Sequence, residues 1–173
     1  MTKSVALVLG SGGARGYAHI GVIEEIERRG YRIECVAGCS MGAVVGGIYA
    51  AGGLEAYREW VSGLDYLDVL RLLDFGFGNL GAIRGERIFR RIHEILGEVD
   101  IENLRIPFTA VATDLTNQQE VWFQQGCLHQ AMRASAAIPS VFAPVRQGNR
   151  VLVDGGLLNP LPINPVVSAH CDL

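Results

Sequence analysis

The chain has 173 residues, 49% hydrophobic and 19% charged, with 15 Lys+Arg against 18 Asp+Glu and a formal charge of −3. That length and balance describe one globular domain, residues 1–173, and exclude a disordered chain. An acidic chain is also a poor partner for nucleic acid, which is therefore left out of the expected partners.

Val5 to Leu9 is a short, β-branched-rich run closed by glycine, and it predicts a buried parallel strand. Arg15 to Arg29 predicts an amphipathic helix, with Ile20, Ile23 and Ile26 along one face and Gly30 as its stop. Cys35 to Ala37 reads as a second strand, followed at once by Gly38-Cys39-Ser40-Met41-Gly42 and a helix of small residues through about Ala51. Two units of strand, glycine turn and helix in succession point to α/β architecture. Leu54 to Leu73 reads as an apolar helix, Phe75 to Gly81 as a glycine-punctuated loop, and Glu86 to Leu96 as a helix with Ile88, Ile92 and Ile95 inward. Strands are expected at Phe108 to Ala112 and Glu120 to Phe123, then a helix over Cys127 to Ala134; Arg150 to Val153 leads into Asp154-Gly155-Gly156.

The uncharged stretch Ser40 to Leu54 falls short of the ~18 apolar residues of a membrane span. Val5 to Leu9 is likewise shorter than the ~7 residues of a signal peptide's apolar region, so the expected location is cytoplasmic or peripheral at the inner membrane surface. Cys35, Cys39, Cys127 and Cys171 form no CxxC pair and no ligand spacing with the four histidines. Reduced thiols are expected, and neither a metal nor an organic cofactor is implied.

Glycine is the outlier: 22 residues, clustered at Gly10 to Gly16, Gly38 to Gly53 and Gly155 to Gly156. Gly38-x-Ser40-x-Gly42 lies between a predicted strand and a predicted helix, the context of a nucleophile elbow. The helix starting after Ser40 would aim its N-terminal amides at developing negative charge. An α/β-hydrolase would place its elbow later in the sheet and follow it with an acid and then a histidine. Here the sole histidine after Asp154 is His170, three residues from Leu173. A dinucleotide fingerprint at Gly10 to Gly16 fails on spacing, because Arg15 occupies the third glycine position.

Gly12-Gly13-Ala14-Arg15-Gly16, Gly38-Cys39-Ser40-Met41-Gly42 and Asp154-Gly155-Gly156, in that order, resemble the patatin-like phospholipase family, most closely its bacterial members. Val111 to Leu115 and Arg133 to Pro139 extend the resemblance over nearly the whole chain. It implies a three-layer α/β/α fold with a mainly parallel central sheet and an elbow after the second strand. It also implies a serine acyl hydrolase of the phospholipase A or lysophospholipase type, with a Ser–Asp dyad. Ser40 would be the nucleophile and Asp154 its base; the Gly12 and Gly13 amides would form an oxyanion hole shaped by Arg15 and Gly16, with Gly38 and Gly42 flanking the elbow. The partner implied is a lipid or other acyl-ester substrate, met in transient contact with a membrane surface. An acyl-CoA thioesterase, or a regulatory or scaffolding protein keeping the fold with little turnover, stays open, as does the oligomeric state. The chain departs from the family at Ser11, where many members have glycine. His170 to Leu173 reads as the approach to another strand, so a longer protein is expected.

Plainer roles compete at each position. Ser40 could cap a helix, Asp154 could serve a turn, and Cys39 could fill space. For Asp114 a turn cap is favoured over a site role, and for His19 and His129 solvated or core-edge positions are the default. Arg84, Arg87 and Arg91 make a basic stripe that could meet anionic headgroups. Glu86 and Glu94 on either side of Arg90 favour a self-paired, solvated face. Leu64 to Gly81 could be core, dimer contact, acyl-binding wall or lid.

Overall fold

In the computed structural model of the chain, residues 2–64 and 80–173 are described, the second segment with side chains from Arg87 onward. Six strands form one sheet: β1 (Ser4–Leu9), β2 (Arg32–Cys39), β3 (Phe108–Asp114), β4 (Gln119–Phe123), β5 (Val145–Gln147) and β6 (Arg150–Asp154). β1 pairs with β2 and β2 with β3 in parallel, whereas β4 and β6 run antiparallel to β3 and β5 antiparallel to β6. Strands β1, β2, β3 and β5 thus share one direction, and the sheet is mixed but mainly parallel. Helices α1 (Ala18–Arg28), α2 (Met41–Ala50), α3 (Leu54–Ser62), α4 (Leu80–Leu96) and α5 (Leu128–Ser135) flank it.

The core explains the patterning. Every residue of β3 is buried, as a strand with neighbours on both edges and cover on both faces requires. Nine of the ten residues of α2 are buried, so this helix of small residues is apolar all round and lies inside the molecule. Leu7 and Leu9 of β1, Val36 of β2, Ile20 and Ile23 of α1, Ile88 and Ile92 of α4, and Leu128 and Met132 of α5 join α2 in one cluster.

Several elements differ from the sequence pattern for identifiable reasons. The helix expected from Arg15 begins at Ala18, because Gly13–Tyr17 forms a tight 3-10 turn entered through Gly13 at φ 51°. β2 is eight residues long, where three were expected. Its start carries an exposed Arg32 that donates to Glu34, and its end continues through Gly38 and Cys39, which pair with Ala110 and Val111. β5 was not foreseen; it forms a hairpin with β6 through Gly148-Asn149, with Gly148 at φ 58°. α4 begins at Leu80, six residues ahead of the expected start. The apolar helix predicted from Leu54 is present as α3, and residues 65–73 of that prediction lie outside the described residues, as does most of the Phe75 to Gly81 loop.

One detail of register positions everything that follows. β4 lies opposite Ala110–Asp114 of β3, while β2 lies opposite Phe108–Val111 and β6 opposite Ala112–Asp114. A strand has only two edges, so β2 and β6 must share the edge that β4 does not use. β2 ends with Cys39 against Val111, and β6 ends with Asp154 against Ala112. The two strand ends therefore converge on consecutive residues of β3.

Candidate active site

Ser40 follows directly on Cys39, in the turn between β2 and α2, with φ 57° and ψ −125°. That left-handed backbone is costly for a residue with a side chain and persists only where its surroundings enforce it. Enforcement comes from close packing. A Cβ on Gly38 would fall 2.4 Å from the Gly42 carbonyl oxygen, and one on Gly42 would fall 2.1 Å from the Leu9 carbonyl oxygen. Neither position admits a side chain, which is why glycine flanks the serine on both sides.

The turn delivers Ser40 to Asp154. Ser40 Oγ donates to Asp154 Oδ2 at 2.5 Å, across 114 positions of sequence, and the residues are only 2% and 4% exposed. Asp154 Oδ1 accepts from the Gly156 amide at 2.7 Å. Burial raises the Asp154 carboxyl above the ordinary carboxylate range, and the Ser40 hydroxyl and Gly156 amide only partly offset it. Of the plainer readings, the helix cap fails: the Ser40 side chain makes no capping hydrogen bond to α2. Asp154 does serve its turn, but with one carboxylate oxygen, leaving the other for Ser40.

The first glycine loop closes over the same region. Ser11 donates its amide to the Pro160 carbonyl at 2.8 Å, the His19 ring meets the Gly10 carbonyl at 2.9 Å, and a Cβ on Gly156 would lie 3.1 Å from Ser11 Oγ. A Cβ on Gly16 would lie 2.4 Å from Met41 Cγ, so the 3-10 turn rests on the start of α2. No described residue accepts from the amides of Gly12 or Gly13, whereas the Arg15 amide is used within the turn, donating to the Gly12 carbonyl. Arg15 itself is exposed.

The remaining candidates sort cleanly. Cys39 is fully buried, and burial pushes its thiol up to about 12, with the negative charges of Asp154 and Glu120 adding to the effect; it is an unreactive filler. Asp114 caps a turn as expected, accepting from the Thr116 amide and from Asn117. His129 contacts the Gly97 carbonyl on the far end of α4, and Arg91 pairs with Glu94 at 2.7 Å on the solvated face; the side chains of Arg84 and Glu86 lie outside the described residues. His170 lines a surface cavity with Ser4 and Arg32, the first residues of β1 and β2. That is the opposite end of the sheet from Ser40, roughly 23 Å of strand away. The Leu64 to Gly81 wall or lid falls almost wholly outside the described residues.

Sequence reasoning missed Ser135. Its hydroxyl donates to the Val111 carbonyl at 2.6 Å and accepts from the Ser40 amide at 3.0 Å, with the residue fully buried. An alanine-rich run at a helix end offers no periodic signal for such a contact.

Comparison with known proteins agrees with this fold. The patatin-like phospholipase family pattern matches residues 7–167. NTE family proteins of Mycobacterium bovis and Mycobacterium tuberculosis, both named uncharacterized, are 53% identical over 169 residues, covering 98% of this chain and 47% of their own length. Neuropathy target esterase sws of Drosophila persimilis is 34% identical over 167 residues, covering 92% of this chain and 12% of its own. Among solved structures, VipD from Legionella pneumophila shares the fold at a TM-score of 0.53 and 17% identity, over 91% of this chain and 46% of its own. The chain spans about half the length of these two mycobacterial relatives. By the extent of the family match and the order of its motifs, this chain belongs to the patatin-like phospholipase family.

Proposed function

We propose that this chain carries the catalytic site of a serine acyl hydrolase acting on lipid esters, with Ser40 as nucleophile and Asp154 as its base. The observation that carries the reading is the buried 2.5 Å hydrogen bond from Ser40 Oγ to Asp154 Oδ2. A free carboxylate, with a pKa near 3.9, is a weak base for a hydroxyl; burial makes this one stronger. Ser40 Oγ attacks the ester carbonyl as its proton passes to Asp154. The tetrahedral oxyanion is met by the Gly12 and Gly13 amides, which have no other described acceptor, with Arg15 and Gly16 shaping the loop. Collapse expels the alcohol, which takes the proton from Asp154, and leaves an ester on Ser40. Water then attacks that ester, giving its proton to Asp154; the free acid departs as the proton returns to Ser40.

A lipid substrate is supported by the surface beside the pair. Leu157, Leu158 and Leu161, each about half exposed, follow the Asp154 turn, and Leu161 Cδ1 lies 3.2 Å from where a Cβ on Gly10 would stand. Such side chains suit transient contact with acyl chains at a lipid surface. No helix among the described residues is long and apolar enough to cross a membrane. The test is Ser40→Ala, assayed on p-nitrophenyl esters of graded chain length and on lysophospholipids. Hydrolysis should be abolished with thermal unfolding unchanged; a folded variant with wild-type turnover refutes the reading.

A further inference from the structure

We propose that Ser135 is a positioning residue for Ser40, and that the C-terminal end of α5 acts as the jig that sets the Ser40–Asp154 geometry. The inference rests on the reading of Ser40 as nucleophile, but its physical content is separate. Ser40 Oγ can meet Asp154 only while the turn holds the backbone at φ 57°. The glycines at 38 and 42 permit that backbone; something must also retain it.

The Ser135 hydroxyl does so from inside the protein. A hydroxyl has one hydrogen to give and lone pairs to receive, and here the hydrogen goes to the Val111 carbonyl while a lone pair takes the Ser40 amide. Val111 is the residue at which β2 gives way to β6 along β3, so the hydroxyl is anchored where the two strand ends meet. Gly155 confirms the crowding there: a Cβ on it would fall 2.2 Å from the same Val111 oxygen. Two residues beyond Ser135, the Ala137 carbonyl accepts the Asp154 amide at 2.9 Å, and Ala137 is likewise fully buried. One three-residue stretch therefore holds the backbone amides of both members of the pair. Removing the hydroxyl leaves a buried amide and a buried carbonyl short of a partner, and relaxation of the turn is the cheapest way to satisfy them.

The experiment compares the full chain with its Ser135→Ala, Ser135→Thr and Ser40→Ala variants by three readouts: kcat and KM on a p-nitrophenyl ester, the rate of Ser40 labelling by a fluorophosphonate, and hydrogen exchange at the Ser40 amide. Ser135→Ala should keep KM, lose roughly tenfold or more in kcat and labelling rate, as small misplacements of reacting groups do, and exchange the Ser40 amide faster. Ser135→Thr, which keeps the hydroxyl, should recover most of kcat. Wild-type kcat in a folded Ser135→Ala protein, or unchanged exchange at Ser40, overturns the proposal. An equal loss in Ser135→Thr with a matching fall in Tm also overturns it, since that marks packing alone. If the wild-type chain neither turns over nor labels, the nucleophile reading fails, and exchange at the Ser40 amide still decides the clamp.

Discussion

Two buried aspartates stand close together on adjacent strands and behave in opposite ways. Asp114 closes β3 and Asp154 closes β6, and the antiparallel register puts Asp114 opposite Leu152 and Asp154 opposite Ala112. Asp114 is fully buried, yet its carboxyl is held below the ordinary range. Burial pushes it up, but the Asn117 side chain, the Thr116 and Asn117 amides and the Arg150 guanidinium outweigh that effect. Asp154 has one amide and one hydroxyl, and burial wins. Burial alone therefore does not make a base. The number of donors around a buried carboxylate decides whether it is spent on structure or remains available for a proton.

Asp154→Asn breaks the contrast most sharply. It keeps the shape of the side chain but removes the proton acceptor, so kcat should fall by ~10² or more, the usual scale for a general base. Because the folded pKa of Asp154 is raised, its ionisation works against the fold; the stability it contributes is present below the unfolded value near 3.9 and is lost as pH rises through the folded value. Asp154→Asn should thus be at least as stable as the parent at neutral pH by thermal unfolding, despite being inactive. In the parent, kcat should decline as pH falls, with its acid limb centred above ~3.9, where a free carboxylate would place it. An acid limb below that value would assign the titration to a different group.

Asp114→Asn should do the reverse, leaving kcat nearly intact while lowering Tm by about 2–4 °C at neutral pH. Its depressed pKa contributes stability that is present above ~3.9 and is lost as pH falls through the lower folded value, so the Tm gap should close in acid. A Tm gap that persists unchanged into acid would mean the carboxylate charge is irrelevant to the turn. The smallest effect belongs to His170→Ala. An exposed side chain at the far end of the sheet should change kcat by no more than about twofold. A loss comparable to that of Asp154→Asn in a folded protein would put a histidine in the reaction.

Legibility followed the physics of each signal. Ser40 stood out through the glycines that its crowded turn demands, whereas Asp154 was indicated only by the resemblance that Asp154-Gly155-Gly156 carries; the two meet in one hydrogen bond. Helices α1 and α4 were legible from their isoleucine spacing, and Ile23 and Ile92 are indeed fully buried. Their starts were less so: α1 is delayed by a 3-10 turn, which carries no periodicity. β2 was underread because Arg32 and Glu34 interrupt its apolar run at the start and Gly38 at the end, although backbone pairing is indifferent to both. Ser135 lies in the Arg133 to Pro139 segment that extends the resemblance, yet its role could not be read there. Its role depends on contacts 24 and 95 positions away, which no local pattern encodes.

The convergence of β2 and β6 on β3 reaches beyond the reaction itself. Val111 and Ala112 are consecutive, with Cα atoms about 3.8 Å apart, so the spacing of the pair is a property of one peptide unit in one strand. Of the segments that join these strands, the one between β4 and β5 touches the pair, through Ser135 and Ala137. Insertions or deletions between α2 and β3, where no described residue touches the pair's backbone amides, can reshape what the surface meets without shifting Ser40 against Asp154, whereas the β4–β5 segment is tied to both amides. Such a scaffold separates the evolution of selectivity from that of chemistry: segments that do not touch the pair are free to vary, and the reacting atoms stay in register.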